Sequence, residues 1–251
     1  MQANGLTIRR FAGPENAASA LARDVARALA VKPHLVLGFP TGRTPVPLYT
    51  ALVALFEKGR ADFSRASTFN LDEFVGVLPG DPRSYRAFMD RQLFDVVNLR
   101  PSHIHFLNGA ASDAVAECAR YERAIARAGG IDLLVLGLGT NGHIGFNEPA
   151  RELVAGTHRT RLTPATRRAN ASLFGRVADV PKEALSMGMS TILRARRIVL
   201  LATGSAKAKT IRQMVLGPIT PRVPASFLQL HRRAEVWVDR EAAGELSEDA
   251  R

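Results

Sequence analysis

The chain has 251 residues, of which 46% are apolar, and it carries a formal net charge of +11. This length fits one large α/β domain, and no apolar run approaches the roughly 20 residues that a membrane-spanning helix needs. Cys118 is the single cysteine, which excludes an intramolecular disulfide, and the first residues lack the apolar stretch of a signal peptide. We therefore expect one domain over residues 1–251, located in the cytoplasm and without a membrane partner.

The first half of the chain alternates between strand-like and helix-like segments. Residues 6–11 predict a strand, and Pro14 begins a helix whose apolar stripe runs from Ala17 to Leu29. The predicted elements that follow are strand 34–39, helix 45–58, strand 68–71, turns at 76–83, helix 85–94 with Ser84 as its N-cap, strand 103–107, helix 112–128 and strand 131–138.

Beyond Pro149 the pattern is weaker. The predicted elements are an exposed strand at 157–163, helices at 164–174 and 181–193, strand 198–202, a helix from Ala206, a short helix at 224–230 and strand 234–238. Strands that alternate with helices indicate an α/β fold with a doubly wound, mostly parallel, Rossmann-like sheet.

The strand at 131–138 leads into the segment most suggestive of chemistry. Its apolar run is continuous, which is typical of a strand buried on both faces, and it ends in Gly137-Leu138-Gly139. Asn141, His143 and Glu148 follow within a short turn. Because ligands bind outside the carboxyl ends of such strands, the loop offers a proton carrier and a carboxylate where catalysis usually occurs.

The loop at 38–45 is a candidate phosphate site. Gly42 permits a close approach of the backbone, and the helix that follows offers free N–H groups and the positive end of its dipole. The side chains that add hydroxyls and a cation are Thr41, Arg43 and Thr44. Lys207 in the first turn of a later predicted helix is unfavourable for that helix alone, but it would suit a bound anion. The alternatives are that the loop at 38–45 is a plain turn and that Lys207 is a solvated surface residue.

Asp72 and Glu73 end a strand together. One of these carboxylates could act as a general base and the other as a structural cap, although a single acidic pair after a strand is often purely structural. The sequence pattern does not distinguish between these alternatives.

Other classes of site are not indicated. The six histidines do not have the HExxH spacing of a zinc enzyme, and neither GxGxxG nor GxSxG occurs. The arginines are scattered and aromatic residues make up 6% of the chain, whereas nucleic-acid-binding surfaces usually cluster basic residues. We therefore expect no metal and no nucleic acid partner.

Together the loops resemble those of the glucosamine-6-phosphate deaminase family, also called glucosamine-6-phosphate isomerases. The matching pieces, in family order, are LGFPTGRTPVPLY (37–49), FNLDEFVG (69–76), SYRAFM (84–89), LGLGTNGHIGFNEPA (136–150), ATGSAKA (202–208) and SFLQLH (226–231). The resemblance spans nearly the whole chain. It implies an enzyme of amino-sugar metabolism that converts glucosamine 6-phosphate and water to fructose 6-phosphate and ammonia without a cofactor.

The resemblance also implies roles for the residues. His143 would assist opening of the sugar ring, oriented by Glu148 and Asn141, and Asp72 would move a proton from C2 to C1. The phosphate would lie against the loop at 41–44 and Lys207, and the segment after the catalytic loop would form a lid.

Three positions depart from familiar members of the family. Position 141 is Asn, where some members have Asp and others also have Asn. Many members have, at the position of Ser172, an arginine that contacts phosphate, and Arg167 or Arg168 is a candidate replacement. Arg43 stands where a small residue is usual. We therefore include Arg168 with Arg43 among the candidate phosphate ligands.

The alternatives are a 6-phosphogluconolactonase, which shares the fold, and a non-catalytic sensor of sugar phosphates. A lactonase pattern lacks the FNEP continuation and the Asp-Glu-Phe loop, and a sensor need not keep Asp72 with His143. Galactosamine 6-phosphate remains open as a substrate. For the assembly we expect a monomer or a small homo-oligomer.

Overall fold

The fold was taken from a computed structural model, which describes residues 2–246. The strands are β1 (Gln2–Ala3), β2 (Leu6–Phe11), β3 (Val36–Phe39), β4 (Ser67–Asn70), β5 (Asp72–Phe74), β6 (Ile104–His105), β7 (Leu133–Leu136), β8 (His158–Arg161), β9 (Glu183–Ser186), β10 (Arg197–Ala202) and β11 (Ala234–Asp239). The α-helices are α1 (Pro14–Val31), α2 (Val46–Glu57), α3 (Tyr85–Met89), α4 (Ala114–Arg127), α5 (Pro164–Ala169), α6 (Ala171–Phe174), α7 (Met189–Leu193) and α8 (Ala208–Leu216).

Eight strands form one large sheet in the order β1-β2-β11-β10-β7-β3-β4-β6. Its strand pairs are parallel except for the antiparallel pair of β1 with β2. The central strands β3 and β7 are buried along their whole length, which explains their continuous apolar sequences. The predicted mostly parallel α/β fold is confirmed.

Successive residues of the central strands pack into two separate cores. On β7, Leu134 and Leu136 belong to one core, whereas Leu133 and Val135 belong to the other. Helices α1 and α2 cover the second core, and α4 and α8 cover the first. The sheet is therefore doubly wound, and the carboxyl ends of its parallel strands lie along one edge, where such sheets bind ligands.

A second sheet of three strands lies beyond the end of β4, in the order β5-β9-β8, with antiparallel pairs. Leu71 is the single residue between β4 and β5, and its carbonyl accepts a hydrogen bond from the Met187 amide (2.7 Å). Phe74 of this sheet packs with Phe146 and Phe174 in a small core of its own. The second sheet thus directs the segment from Asp72 across the end of the large one.

Most predicted elements are present, but the helix predicted at 181–193 is wrong. Residues Glu183–Ser186 form β9, and the helix is confined to Met189–Leu193. Alanine, leucine and methionine favour a helix here, yet pairing with β5 and β8 buries Ala184 and Leu185, so tertiary contacts override the propensity.

Smaller differences concern the edge of the sheet and the third helix. The strand predicted at 103–107 is reduced to Ile104–His105 after a turn of 3-10 helix. Ser84 is the predicted N-cap, because its hydroxyl accepts a hydrogen bond from the Ala87 amide. The helix then continues as a π-helix over Asp90–Phe94. Within residues 2–246, no helix is both long and apolar enough to cross a membrane.

Candidate active site

One cavity lies at the carboxyl ends of β3, β4, β7 and β10. Its lining comes from the loop at 40–45, from Asp72, from the loop that contains His143, and from Lys207. We call the parts that follow β3, β4, β7 and β10 the floor. Helices α5 and α6, residues 164–174, are called the lid, and Thr166 and Asn170 of the lid also line the cavity. The structure therefore brings together residues that lie far apart in the chain.

Asp72 is the first residue of β5, and its side chain is 6% exposed. Its Oδ1 has no hydrogen-bond partner among the described residues. Burial, together with the neighbouring charge of Glu73, raises the pKa of Asp72 to about 8, and a hydrogen bond with the Thr41 hydroxyl partly opposes this shift. A carboxyl group that lines a cavity, has an unpartnered oxygen and titrates close to neutral pH is suited to general base catalysis.

Glu73 has a different environment although it is adjacent in sequence. Its Oε1 accepts hydrogen bonds from the amides of Phe74 (2.9 Å) and Tyr85 (3.0 Å), and its Oε2 accepts one from the Arg86 amide (3.0 Å). The side chain thus binds the first free N–H groups of α3. Glu73 acts as a structural cap, which leaves Asp72 as the candidate base.

His143 and Glu148 lie together in the loop after β7. The imidazole Nδ1 is 3.4 Å from Glu148 Oε2, and Asn141 Nδ2 donates to the same oxygen over 2.7 Å. The Thr166 hydroxyl of the lid donates to Glu148 Oε1. Burial would raise the pKa of Glu148, but His143, Thr166 and Asn141 together hold the pKa below its usual value. Glu148 is therefore an anion that can orient the imidazole.

Two glycines make room for this arrangement. A Cβ atom at Gly139 would overlap the imidazole of His143, so the ring lies directly against the backbone. Gly145 has a φ of +56°, and a Cβ there would lie 3.0 Å from Ser186 Oγ and 3.6 Å from Asp72 Oδ2. Gly139 is required by its contact with His143, and Gly145 is favoured by its positive φ and by its contact with Ser186.

The candidate phosphate ligands occupy the other side of the site. Thr41, Gly42, Arg43 and Thr44 all line the cavity, and Gly42 has a φ of +91°. Lys207 lines it too, from the 3-10 turn that precedes α8. Burial lowers the pKa of Lys207, as expected for a cation without a compensating anion.

Arg168 is the candidate that the structure does not bring to the cavity. It lies on the exposed side of α5, and the lid residues that line the cavity are Ala165, Thr166, Ala169 and Asn170. Arg167 is also turned away, since its guanidinium donates to the carbonyl of Val177 (2.8 Å). The lid therefore contributes no arginine to the site.

Sequence reasoning missed two residues that join floor and lid. Tyr85 is 6% exposed, lines the cavity, and donates from its hydroxyl to Asn170 Oδ1 over 3.0 Å. Thr166 binds Glu148. The motif SYRAFM was a signal for Tyr85, whereas a threonine within a weak helical pattern offered none.

Residues 2–246 contain no group of three or more His, Cys, Asp and Glu side chains arranged to hold a metal ion.

The chain is similar to known proteins in both sequence and structure. A family model described as "Glucosamine-6-phosphate isomerases/6-phosphogluconolactonase" matches residues 12–237. The glucosamine-6-phosphate deaminase of Halothermothrix orenii is 47% identical over 222 residues, which cover 88% of this chain and 92% of that protein.

Among solved structures, a monomeric glucosamine-6-phosphate deaminase superposes with a TM-score of 0.93 at 40% identity, covering 96% of this chain and all of that one. A 6-phosphogluconolactonase from Trypanosoma cruzi gives a TM-score of 0.75 at 20% identity, covering 96% and 97% of the two chains, and this likeness shows the fold alone.

Proposed function

Because this chain belongs to the family of glucosamine-6-phosphate isomerases and 6-phosphogluconolactonases, we propose that its reaction is the one named for its deaminase relatives. It is a glucosamine-6-phosphate deaminase, which converts glucosamine 6-phosphate and water to fructose 6-phosphate and ammonia. The observation that carries this assignment is that Asp72, whose buried Oδ1 has no hydrogen-bond partner among the described residues, lines the same cavity as His143 and Lys207. The assignment is also supported by the similar deaminases, which are 40–47% identical to this chain.

His143 acts first, in opening of the sugar ring. The imidazole carries a proton between the anomeric hydroxyl and the ring oxygen, so that the ring C–O bond breaks and the C1 aldehyde forms. Glu148 lies 3.4 Å from the imidazole Nδ1 and can orient the ring, while Asn141 fixes the carboxylate.

Asp72 then isomerises the open chain. Its carboxylate removes the proton from C2, the C1 oxygen gains a proton, and an enolamine forms. Return of the proton to C1 leaves an imine at C2, and water replaces the nitrogen, which departs as ammonia. The buried carboxylate is suited to this step because its raised pKa makes it a stronger base than an exposed aspartate.

The phosphate supplies binding energy away from the reacting carbons. We assign it to the loop at 41–44 and to Lys207, and we leave Arg168 out because it does not line the cavity. Remote binding energy of this kind orients C1 and C2 between Asp72 and His143.

The experiment is a substrate panel. Purified protein should release ammonia from glucosamine 6-phosphate with formation of an equal amount of fructose 6-phosphate. Galactosamine 6-phosphate and 6-phosphogluconolactone are the comparison substrates, and glucosamine without phosphate is the control for the phosphate site. Faster hydrolysis of the lactone than of the amino sugar would identify the lactonase instead, and binding without turnover would identify a sensor.

Three further proposals concern the chain as a whole. We propose that residues 1–251 form one domain, which is supported by a family match over residues 12–237. We propose a monomer or small homo-oligomer, supported by a similar solved structure described as monomeric. The substrate, a phosphorylated sugar, supports a cytoplasmic location.

A further inference from the structure

The floor and the lid are joined by an arginine that has no anionic partner. Arg43 of the loop at 40–45 donates from its guanidinium Nη2 to Ser172 Oγ of α6 over 2.9 Å, across 129 positions of sequence. Arg43 also lines the cavity. Among the described residues, no carboxylate lies within ion-pairing distance of Arg43, whereas many of the other arginines are paired.

The geometry of guanidinium makes this single contact informative. The group is planar and presents five N–H donors in a fixed fork, which matches a phosphate bidentately. Ser172 accepts one hydrogen bond from Nη2 and thereby restricts the positions that the group can take. The remaining donors have no partner within residues 2–246 and stay available to an anion in the cavity.

Lys207 provides a contrast within the same site. An ammonium group is a compact charge that needs no particular plane, and burial already restricts where Lys207 can lie. Arg43 is exposed, so its long side chain would lose much rotamer freedom when it binds an anion. A partner that holds the guanidinium beforehand reduces this loss.

We propose that Ser172 is a positioning residue for Arg43. Its hydroxyl holds the guanidinium ready for the phosphate group of the substrate, and the same hydrogen bond ties the lid to the phosphate site. Phosphate binding is then linked to the position of α6. The proposal rests on the proposed function in one respect, which is that the anion in the cavity is the substrate's phosphate.

The test is a double-mutant cycle with Ser172→Ala, Arg43→Ala and the double variant. KM and kcat for glucosamine 6-phosphate are measured together with the dissociation constant of inorganic phosphate by calorimetry. Ser172→Ala should raise both KM and the dissociation constant of phosphate about threefold to tenfold, as expected for one hydrogen bond to a charged group at an exposed site. The effect on kcat should be smaller. In the Arg43→Ala background, Ser172→Ala should have no further effect.

Two controls make the cycle specific. Ser172→Thr keeps the hydroxyl and should restore phosphate binding. Arg168→Ala removes a lid arginine that does not line the cavity, so it should change phosphate binding less than twofold, well below the effect of Arg43→Ala.

The outcomes separate this inference from the proposed function. Equal effects of Ser172→Ala with and without Arg43, or unchanged phosphate binding in Ser172→Ala, would overturn the positioning role while deaminase activity stands. A protein without deaminase activity whose phosphate binding still shows the coupling would overturn the proposed function and support the role of Ser172.

Discussion

The floor and the lid hold their functional groups in different ways. On the floor, Asp72 and Glu73 are almost completely buried, and the strand that leads to His143 is buried along its whole length. In the lid, Thr166 and Phe174 are the two buried residues of 164–174. Three hydrogen bonds join the two regions: Thr166 of the lid donates to Glu148, whereas Tyr85 and Arg43 donate to lid residues.

The difference between floor and lid indicates which properties of the site depend on burial in the core. Burial raises the pKa of Asp72, and such a shift requires a packed surrounding that excludes water. A lid of two short helices cannot supply that surrounding, but it can add hydrogen bonds to charged groups. We therefore expect large effects from changes to the floor and small effects from changes to the lid.

The largest effect is expected at Asp72. Asp72→Asn removes the base while keeping the size of the side chain, so kcat should fall by at least about 10². Binding of fructose 6-phosphate should be retained, which is the control for folding. Turnover close to that of the wild type would remove Asp72 from the role of base.

His143→Gln should reduce kcat by about 10², the lower end of what proton transfer by a side chain contributes, because the proposed role is proton transfer in ring opening. Exchange of the C2 hydrogen with solvent should be preserved on substrate that is already in the open-chain form. Equal losses of exchange and turnover on that substrate would place His143 at C2 and contradict the assignment.

Lys207→Ala tests the phosphate side of the floor. One hydrogen bond between charged groups contributes about 1.5–3 kcal/mol to the free energy of binding, so its loss should raise KM roughly tenfold to a hundredfold with a smaller change in kcat. The matched control is Lys209→Ala, an exposed lysine of α8 that does not line the cavity. Equal turnover of glucosamine with and without phosphate would refute the phosphate site.

A lid residue should have a smaller effect than these floor residues. Thr166→Val removes the hydroxyl that binds Glu148 but keeps the shape of the side chain. Since Asn141 still holds the other oxygen, kcat/KM should fall about threefold to tenfold. A loss as large as that of His143→Gln would show that the lid controls catalysis as strongly as the floor.

The ionisation of Asp72 should also be visible in stability. The folded protein holds this proton up to a pKa of about 8, whereas the ordinary value is 3.8. The contribution of Asp72 to stability is therefore complete below about pH 4 and is lost as the pH rises through 8. Asp72→Asn cannot ionise, so its Tm relative to the wild type should rise by roughly 10–20 °C between pH 4.5 and 8.5 in thermal denaturation. A constant difference would mean that the carboxyl has an ordinary pKa.

The order of strands and helices was largely predictable, because the continuous apolar runs of β7 and β10 and the amphipathic pattern of α1 are local signals. Strand β9 was not predictable. Its residues favour a helix, and they form a strand because β5 and β8 lie on either side. A pattern read along the chain contains no information about such neighbours.

The amino-acid sequence was sufficient to predict the family, the mostly parallel sheet and the loops that meet at its carboxyl end, since these depend on motifs and on periodic burial. It did not separate the roles of Asp72 and Glu73, nor did it separate Arg43 from Arg168 as a phosphate ligand. The tertiary structure places the members of each pair differently, because burial and distance to the cavity depend on segments remote in the chain. Glu73 binds the start of α3, Asp72 retains a free oxygen, and Arg168 lies outside the cavity that Arg43 lines.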